Sequence, residues 1–160
     1  MAVTSKYRDG HSACVERKLE SAEIQAKNGL IGAQLESVER LNLDWDFRFG
    51  AGSSLMFQSL WRLVSDKGIE VTSEDGGQQF GLKTPVSAAD ELREKIGQRS
   101  ITDVQIDGAT SDLTIRFGPA LRLEVISTST GYEAWSLHAK NVHIVGRNGD
   151  TVIFPATSST

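Results

Sequence analysis

Leu43-Asp44-Trp45-Asp46-Phe47-Arg48-Phe49 places its apolar residues at odd positions and its charged residues at even ones. Successive side chains of a strand point to opposite faces. The alternation therefore predicts a strand with a buried aromatic face and a charged solvent face. Residues 55–64 continue in the same style, with Leu55, Phe57, Trp61 and Leu63 on one parity and Met56, Leu60 and Val64 on the other, so both faces are expected to be covered. Residues 69–72 and 79–82 flank Glu74-Asp75-Gly76-Gly77, whose glycines tolerate positive φ, and predict a hairpin.

Toward the N-terminus the period changes. Val15, Leu19, Ala22 and Ala26 recur at spacings of four, three and four, which is one face of a helix. Ser12 is the expected cap and Gly29 the expected stop, leaving residues 1–11 as a flexible tail. A second helix is predicted over 88–96. Ser87 can accept the amide of Asp90, Asp90 and Glu91 put negative charge in the first turn, and Gly97 follows. Beyond it the pattern returns to strands, expected at 101–106, 112–117, 121–127, 132–138, 142–145 and 151–154. Asn148-Gly149 joins the last two as a hairpin turn. Residues 156–160 are expected to fray. The expectation is a single α+β domain over 12–155, mostly antiparallel, with an N-terminal helix and a short mid-chain helix.

Two stretches echo one another. Ile31-Gly-Ala-Gln-Leu35 leads to Phe47-Arg-Phe-Gly50 and then Trp61-Arg-Leu63. Ile101-Thr-Asp-Val-Gln-Ile106 leads to Ile115-Arg-Phe-Gly118 and then Trp135-Ser-Leu137. One reading is a repeat, 31–63 and 101–137, giving two pseudo-repeated β-meanders. The plain alternative is that any two meanders look alike, because glycine ends strands and aromatics fill cores.

The 160 residues carry a net charge of −4, which opposes a general phosphate-binding surface, and the aromatics fall on apolar strand parities rather than on a basic face. No nucleic-acid partner is expected. No apolar run approaches the roughly eighteen residues of a membrane span, and no signal-like stretch opens the chain. With a single cysteine, Cys14, a cytoplasmic location is expected. His11, His138 and His143 have no metal-ligand spacing with Cys14, so neither metal nor cofactor is expected. Asp44 and Asp46 form an Asp-x-Asp pair, but alternating strand polarity explains them and Arg48 neutralises part of their charge. No nucleophile elbow or phosphate loop is present, and no catalytic residue is assigned.

The most distinctive segment is Gly131-Tyr132-Glu133-Ala134-Trp135-Ser136-Leu137. Glu133 and Trp135 share a parity, so Glu133 is expected to need a partner, for which Arg62 beside Trp61 is the candidate. The pair is either structural or part of a recognition groove. The candidate binding residues are Trp61, Arg62, Tyr132, Glu133 and Trp135, since Trp, Tyr and Arg dominate interaction hot spots.

Trp61-Arg-Leu63, Asp75-Gly76, the helix before Ile101, Leu113-x-Ile-x-Phe117-Gly118, Leu121-x-Leu123 and Tyr132-Glu-Ala-Trp135 occur in this order. The order resembles a family of small uncharacterised bacterial cytoplasmic proteins with a late Tyr-Glu-Ser-Trp signature. The resemblance covers about Leu30 to Leu137 and departs at Ala134, where the family has serine. It implies a bacterial, cytoplasmic protein and transfers no activity. By context it suggests an immunity-like or accessory factor. The expected function is thus non-catalytic binding of a partner protein, a basic one by charge complementarity. Two alternatives stay open: a small-molecule binder or enzyme with a pocket near Glu133, Trp135 and Arg62, and a homo-oligomeric structural subunit docked through the N-terminal helix.

Overall fold

The computed structural model describes residues 6–155. The chain runs α1 (Lys6–Leu30), β1 (Leu35–Leu41), β2 (Asp44–Phe49), β3 (Ser53–Phe57), β4 (Leu60–Ser65), β5 (Gly68–Thr72), α2 (Ala88–Ile96), β6 (Asp103–Ile106), β7 (Leu113–Arg116), β8 (Leu121–Ile126), β9 (Trp135–Ala139), β10 (Val142–Arg147) and β11 (Asp150–Pro155). The class is α+β, and every named strand pair is antiparallel. Residues 1–5, the expected frayed end at 156–160 and the side chains of His11 and Val15 lie outside the described residues. Among the described residues no helix is long and apolar enough to cross a membrane.

The strands form two sheets, ordered β1-β2-β3-β9-β10-β11 and β5-β4-β8-β7-β6. Each sheet therefore contains a consecutive meander, β1-β2-β3 or β6-β7-β8, completed by strands from the other half of the chain. β4 leaves the first meander to pair with β8, and β9 leaves the second to pair with β3. The pairing registers match as well. Across the first sheet the inward row is Val38, Phe47, Leu55, Leu137 and Ile144; across the second it is Val104, Ile115, Leu123, Leu63 and Val71. All ten are buried. The neighbouring rows put Trp135 opposite Phe57 and Trp61 opposite Val125. The Arg-Phe-Gly and Trp-x-Leu echoes thus occupy equivalent positions in strand order and register.

The halves also meet at equivalent points. Gln34 and Ser100, each four residues before the Val38 and Val104 of those rows, form an isolated antiparallel bridge. Beside it Ile101 N–H donates to the Ala33 carbonyl and Gly32 N–H to that of Ile101, both at 2.8 Å. Contact between like positions on both halves is the signature of a two-fold relation. The helices follow the same rule. α1 packs on β6 and on β9 to β11, while α2 packs on β1 and β5, so each helix spans both sheets and rests on strands of the opposite half. Lys27 of α1 reaches Asp103 at 3.2 Å, and Lys95 of α2 reaches Glu70 at 3.5 Å. Between the sheets, Trp45 and Trp61 meet edge to face at 5.2 Å, and Phe47 packs against both.

Several expectations need correction. Residues 6–11 belong to α1 rather than to a tail, and Ser12 lies inside the helix. Once a helix is nucleated, each added residue gains a hydrogen bond at small further cost. Gly29 is also inside α1 and is no stop. A Cβ there would stand 2.3 Å from that of Ala139, so glycine lets helix backbone approach β9. The first strand begins at Leu35, since Gly32 turns the chain at φ +86° and Ile31 is exposed. The run 55–64 is two strands in different sheets, broken at Gln58-Ser59, and its second parity is covered only in part: Val64 is buried, Leu60 half-buried and Met56 exposed. Residues 79–82 form no strand. A 3₁₀ turn at Ser73–Asp75, capped by Thr72 and Asp75, redirects the chain, and Phe80 at φ +43° with Gly81 at φ +77° breaks extension. α2 starts at its predicted cap, with Ser87 Oγ accepting from Asp90 N–H, and ends at Gly97 with φ +59°. The Asn148-Gly149 turn has positive φ at both residues, as a tight hairpin requires.

Close approach at glycine gives a first prediction. Alanine at Gly29 raises helix propensity, yet its methyl would collide with Ala139; alanine at Gly146 would stand 2.3 Å from the Trp135 indole. Gly29→Ala and Gly146→Ala are each expected to lose about 1–3 kcal/mol, as overpacking does. Gly131→Ala, which meets nothing within 4 Å, is expected to stay within about 0.5 kcal/mol of the parent. Denaturant melts of the three variants check this.

Candidate functional site

The strand exchange gives each sheet an outward row of matched positions. On the first sheet it reads Glu39, Asp46, Met56, Ser136, Val145 and Val152; on the second it reads Gln105, Thr114, Glu124, Arg62 and Thr72. A shallow cleft opens on each. One, of about 600 Å³, is lined by Asp44, Met56, Gln58, the segment from Gly131 to Ser136, and Arg147. The other, of about 520 Å³, is lined by Glu23, Arg62, Asp112, Thr114, Glu124 and Ile126 among others.

The clefts have diverged chemically at their centres. In the second sheet Arg62 Nε donates to Glu124 at 2.5 Å and Arg122 Nε donates to the other oxygen at 2.6 Å. Burial pushes the Glu124 carboxyl up, but the hydrogen bonds and charges of the two arginines outweigh it and hold the group below its ordinary value. The arginine and glutamate at the heart of that cleft are already matched. In the first sheet the corresponding positions are Met56 and Ser136, and no such ion pair crosses the floor.

Sequence reasoning pairs Arg62 with Glu133, and the structure does not. Glu133 lies before β9, is exposed and lines the first cleft, whereas Arg62 lines the second and pairs with Glu124. Alternating parity misleads here because Glu133 is outside the strand. Trp61 is wholly buried and lines neither cleft. Tyr132, Glu133 and Trp135 do come together. Tyr132 is 81% exposed, while the Trp135 ring is buried over Gly146 with its Nε1–H donating to the Ser111 carbonyl at 2.6 Å. Asp46 is on the outward face yet only 3% exposed. Arg48 donates to its Oδ2 twice, at 2.8 and 3.1 Å, and its Oδ1 is buried without a partner.

The same face holds a group that sequence reasoning passed over. The β9–β10 hairpin places His138 directly opposite His143, their rings stacked at 4.0 Å and 12°. His143 Nε2 is 2.7 Å from Ser136 Oγ, and Phe154 of β11 lies against its other side at 5.4 Å. Burial lowers the His143 pKa, the His138 charge lowers it further, and Glu133 acts in the opposite direction. The signal in the sequence was the five-residue spacing of the histidines. It becomes a pairing only because Lys140 takes φ +51° in a tight turn that carries no glycine. Chemically, a hydroxyl in contact with an imidazole held neutral is a nucleophile beside a base. Among the described residues no group of three or more potential metal ligands gathers.

No family model, curated protein or solved structure matches the chain.

Trp135→Phe leaves the buried Ser111 carbonyl without its donor, whereas Trp61→Phe removes an N–H that has no partner. The first variant is therefore expected to lose about 1–3 kcal/mol more than the second in parallel denaturant melts. For His143 the folded-state pKa lies below the unfolded one, so the unfolded chain takes up the proton first as pH falls. Its contribution to stability is present above the ordinary histidine value and is lost as pH drops through the folded pKa. Melts between pH 8 and pH 5 are expected to show this loss, and His143→Asn is expected to flatten it. Glu124 gives a separate loss at lower pH, where its depressed carboxyl is finally protonated.

Proposed function

We propose that the chain is a non-catalytic binding protein that docks a basic partner protein at the first-sheet cleft. The observation that carries this is the exposed Tyr132 sharing a cleft with Asp44 and Glu133, whose carboxylates form no ion pair among the described residues. An exposed tyrosine in a cleft also lined by apolar Met56 and polar Gln58 supplies rigid contact area at small entropic cost. The carboxylates complement a basic surface, speeding encounter and selecting against acidic competitors. The clefts are shallow and open, which suits a protein side chain better than an enclosed small molecule. Arg147 lies on the rim, held by Asp150 at 3.7 Å. Together with the resemblance to small bacterial proteins, this favours an immunity-like or accessory role in the cytoplasm.

The test is capture from native cytosol by the full chain, followed by mass spectrometry of what is retained. A stoichiometric basic protein is expected, with affinity at least tenfold weaker for Tyr132→Ala combined with Asp44→Asn, and unchanged for Arg62→Ala on the opposite sheet. Tenfold corresponds to about 1.4 kcal/mol, within the range of a truncated hot spot. Equal retention by parent and double variant would overturn the placement, and retention of acidic proteins alone would overturn the partner class.

A further inference from the structure

The binding reading makes no use of the contact between Ser136 and His143. Ser136 is paired with Val145 on β10, so on the outward face it stands between His143 on one side and Arg147 on the other. Its hydroxyl is 2.7 Å from His143 Nε2 and lines the open cleft together with Arg147. A second serine serves as an internal standard. Ser54 lies on the same face, half-buried like Ser136 and directly opposite His138, but its hydroxyl makes no hydrogen bond among the described residues. At the position equivalent to Ser136 in the other sheet is Arg62, so the hydroxyl–imidazole contact belongs to this face alone.

We propose that Ser136 is a reactive serine that takes an acyl group from activated carboxylic esters, with His143 as its base. The Ser136 Oγ–H proton passes to His143 Nε2 as Oγ bonds to the ester carbonyl carbon. The negative charge that develops on the carbonyl oxygen faces the Arg147 guanidinium, which lines the same cleft and is paired with Asp150 at 3.7 Å. The carbon–oxygen bond to the leaving group then breaks, the proton on His143 goes to the departing oxygen, and the products are acyl-Ser136 and one alcohol or phenol. No oxidant, reductant or metal enters the balance. The groups that face His143 are Ser136 and His138 from β9, Glu133 just before it, and Phe154 from β11. Burial and the stacked His138 lower its pKa against the opposing pull of Glu133, which favours the neutral form that accepts a proton. The step is one acylation per chain. It stands apart from partner docking, since it is read on the chain alone.

The experiment treats the full chain with p-nitrophenyl acetate at pH 7.5 and follows p-nitrophenol release and the acetylated residue by peptide mass spectrometry. One equivalent of p-nitrophenol per chain is expected, with acetyl on Ser136 forming about a hundredfold faster than on Ser54, the low end of general-base assistance. Ser136→Ala is expected to remove that equivalent, and His143→Asn to slow it by a similar factor while Ser136 remains in place. Circular-dichroism melts of both variants establish that the fold is retained. Acetylation of Ser136 and Ser54 at equal rates, or an unchanged rate in His143→Asn, would sink the proposal and leave the hydrogen bond a structural one.

Discussion

A three-stranded meander has an edge strand whose N–H and C=O groups need a partner, and here each meander is completed by the other half of the chain. β9 pairs with β3 and β4 pairs with β8, so neither sheet exists without a strand contributed from across the interface. Everything else in the structure is arranged around this exchange. It places Trp61 and Trp135 in equivalent buried positions on the inner faces, and it packs Trp45 of the first sheet edge to face on Trp61 of the second. It brings Gln34 against Ser100, and it leaves sides between the sheets that α1 and α2 cover from opposite directions. Folding is therefore expected to join the halves cooperatively, because the apolar rows of one half are incomplete without the other.

Equivalent positions do not carry equivalent chemistry. The buried rows keep their character in both sheets, because any residue that is apolar and of suitable volume satisfies the same packing requirement. The outward rows lie off the shared core and are free to differ. In the second sheet they neutralise themselves through two arginines on Glu124. On the first face Tyr132 is exposed, Asp44 and Glu133 form no ion pair among the described residues, and a serine is set against a histidine. The binding role proposed for the first face rests on this asymmetry between two faces built on one plan.

Legibility followed physical range. The alternation of Trp45 to Phe49, the Ser87 cap and the Asn148-Gly149 turn are settled by neighbours within a few residues and appear where expected, whereas Leu43 falls before β2 and is exposed, and Asp46 on the outward parity is buried. Gly29 was misread because a glycine at a helix end and a glycine against another strand look the same in one dimension. The Arg62 partner was misread for a related reason. Parity fixes the face on which a side chain lies but not which strand stands next to it, and Glu124 reaches Arg62 only through the exchange of β4. Of the candidate binding residues, Tyr132, Glu133 and Trp135 share a cleft because they share a segment. Trp61 and Arg62 belong elsewhere.

The sequence by itself determined the class of the protein, its two helices apart from the limits of the first, most of its strands, and the residues that face the core. These depend on local backbone preference and on the periodicity of apolar side chains. Only the tertiary structure decided which strands pair across the halves, that His138 stacks on His143, and that Ser136 meets an imidazole rather than solvent. Those relations join residues through strand register and a turn with no glycine to mark it, and register is a property of the assembled sheet.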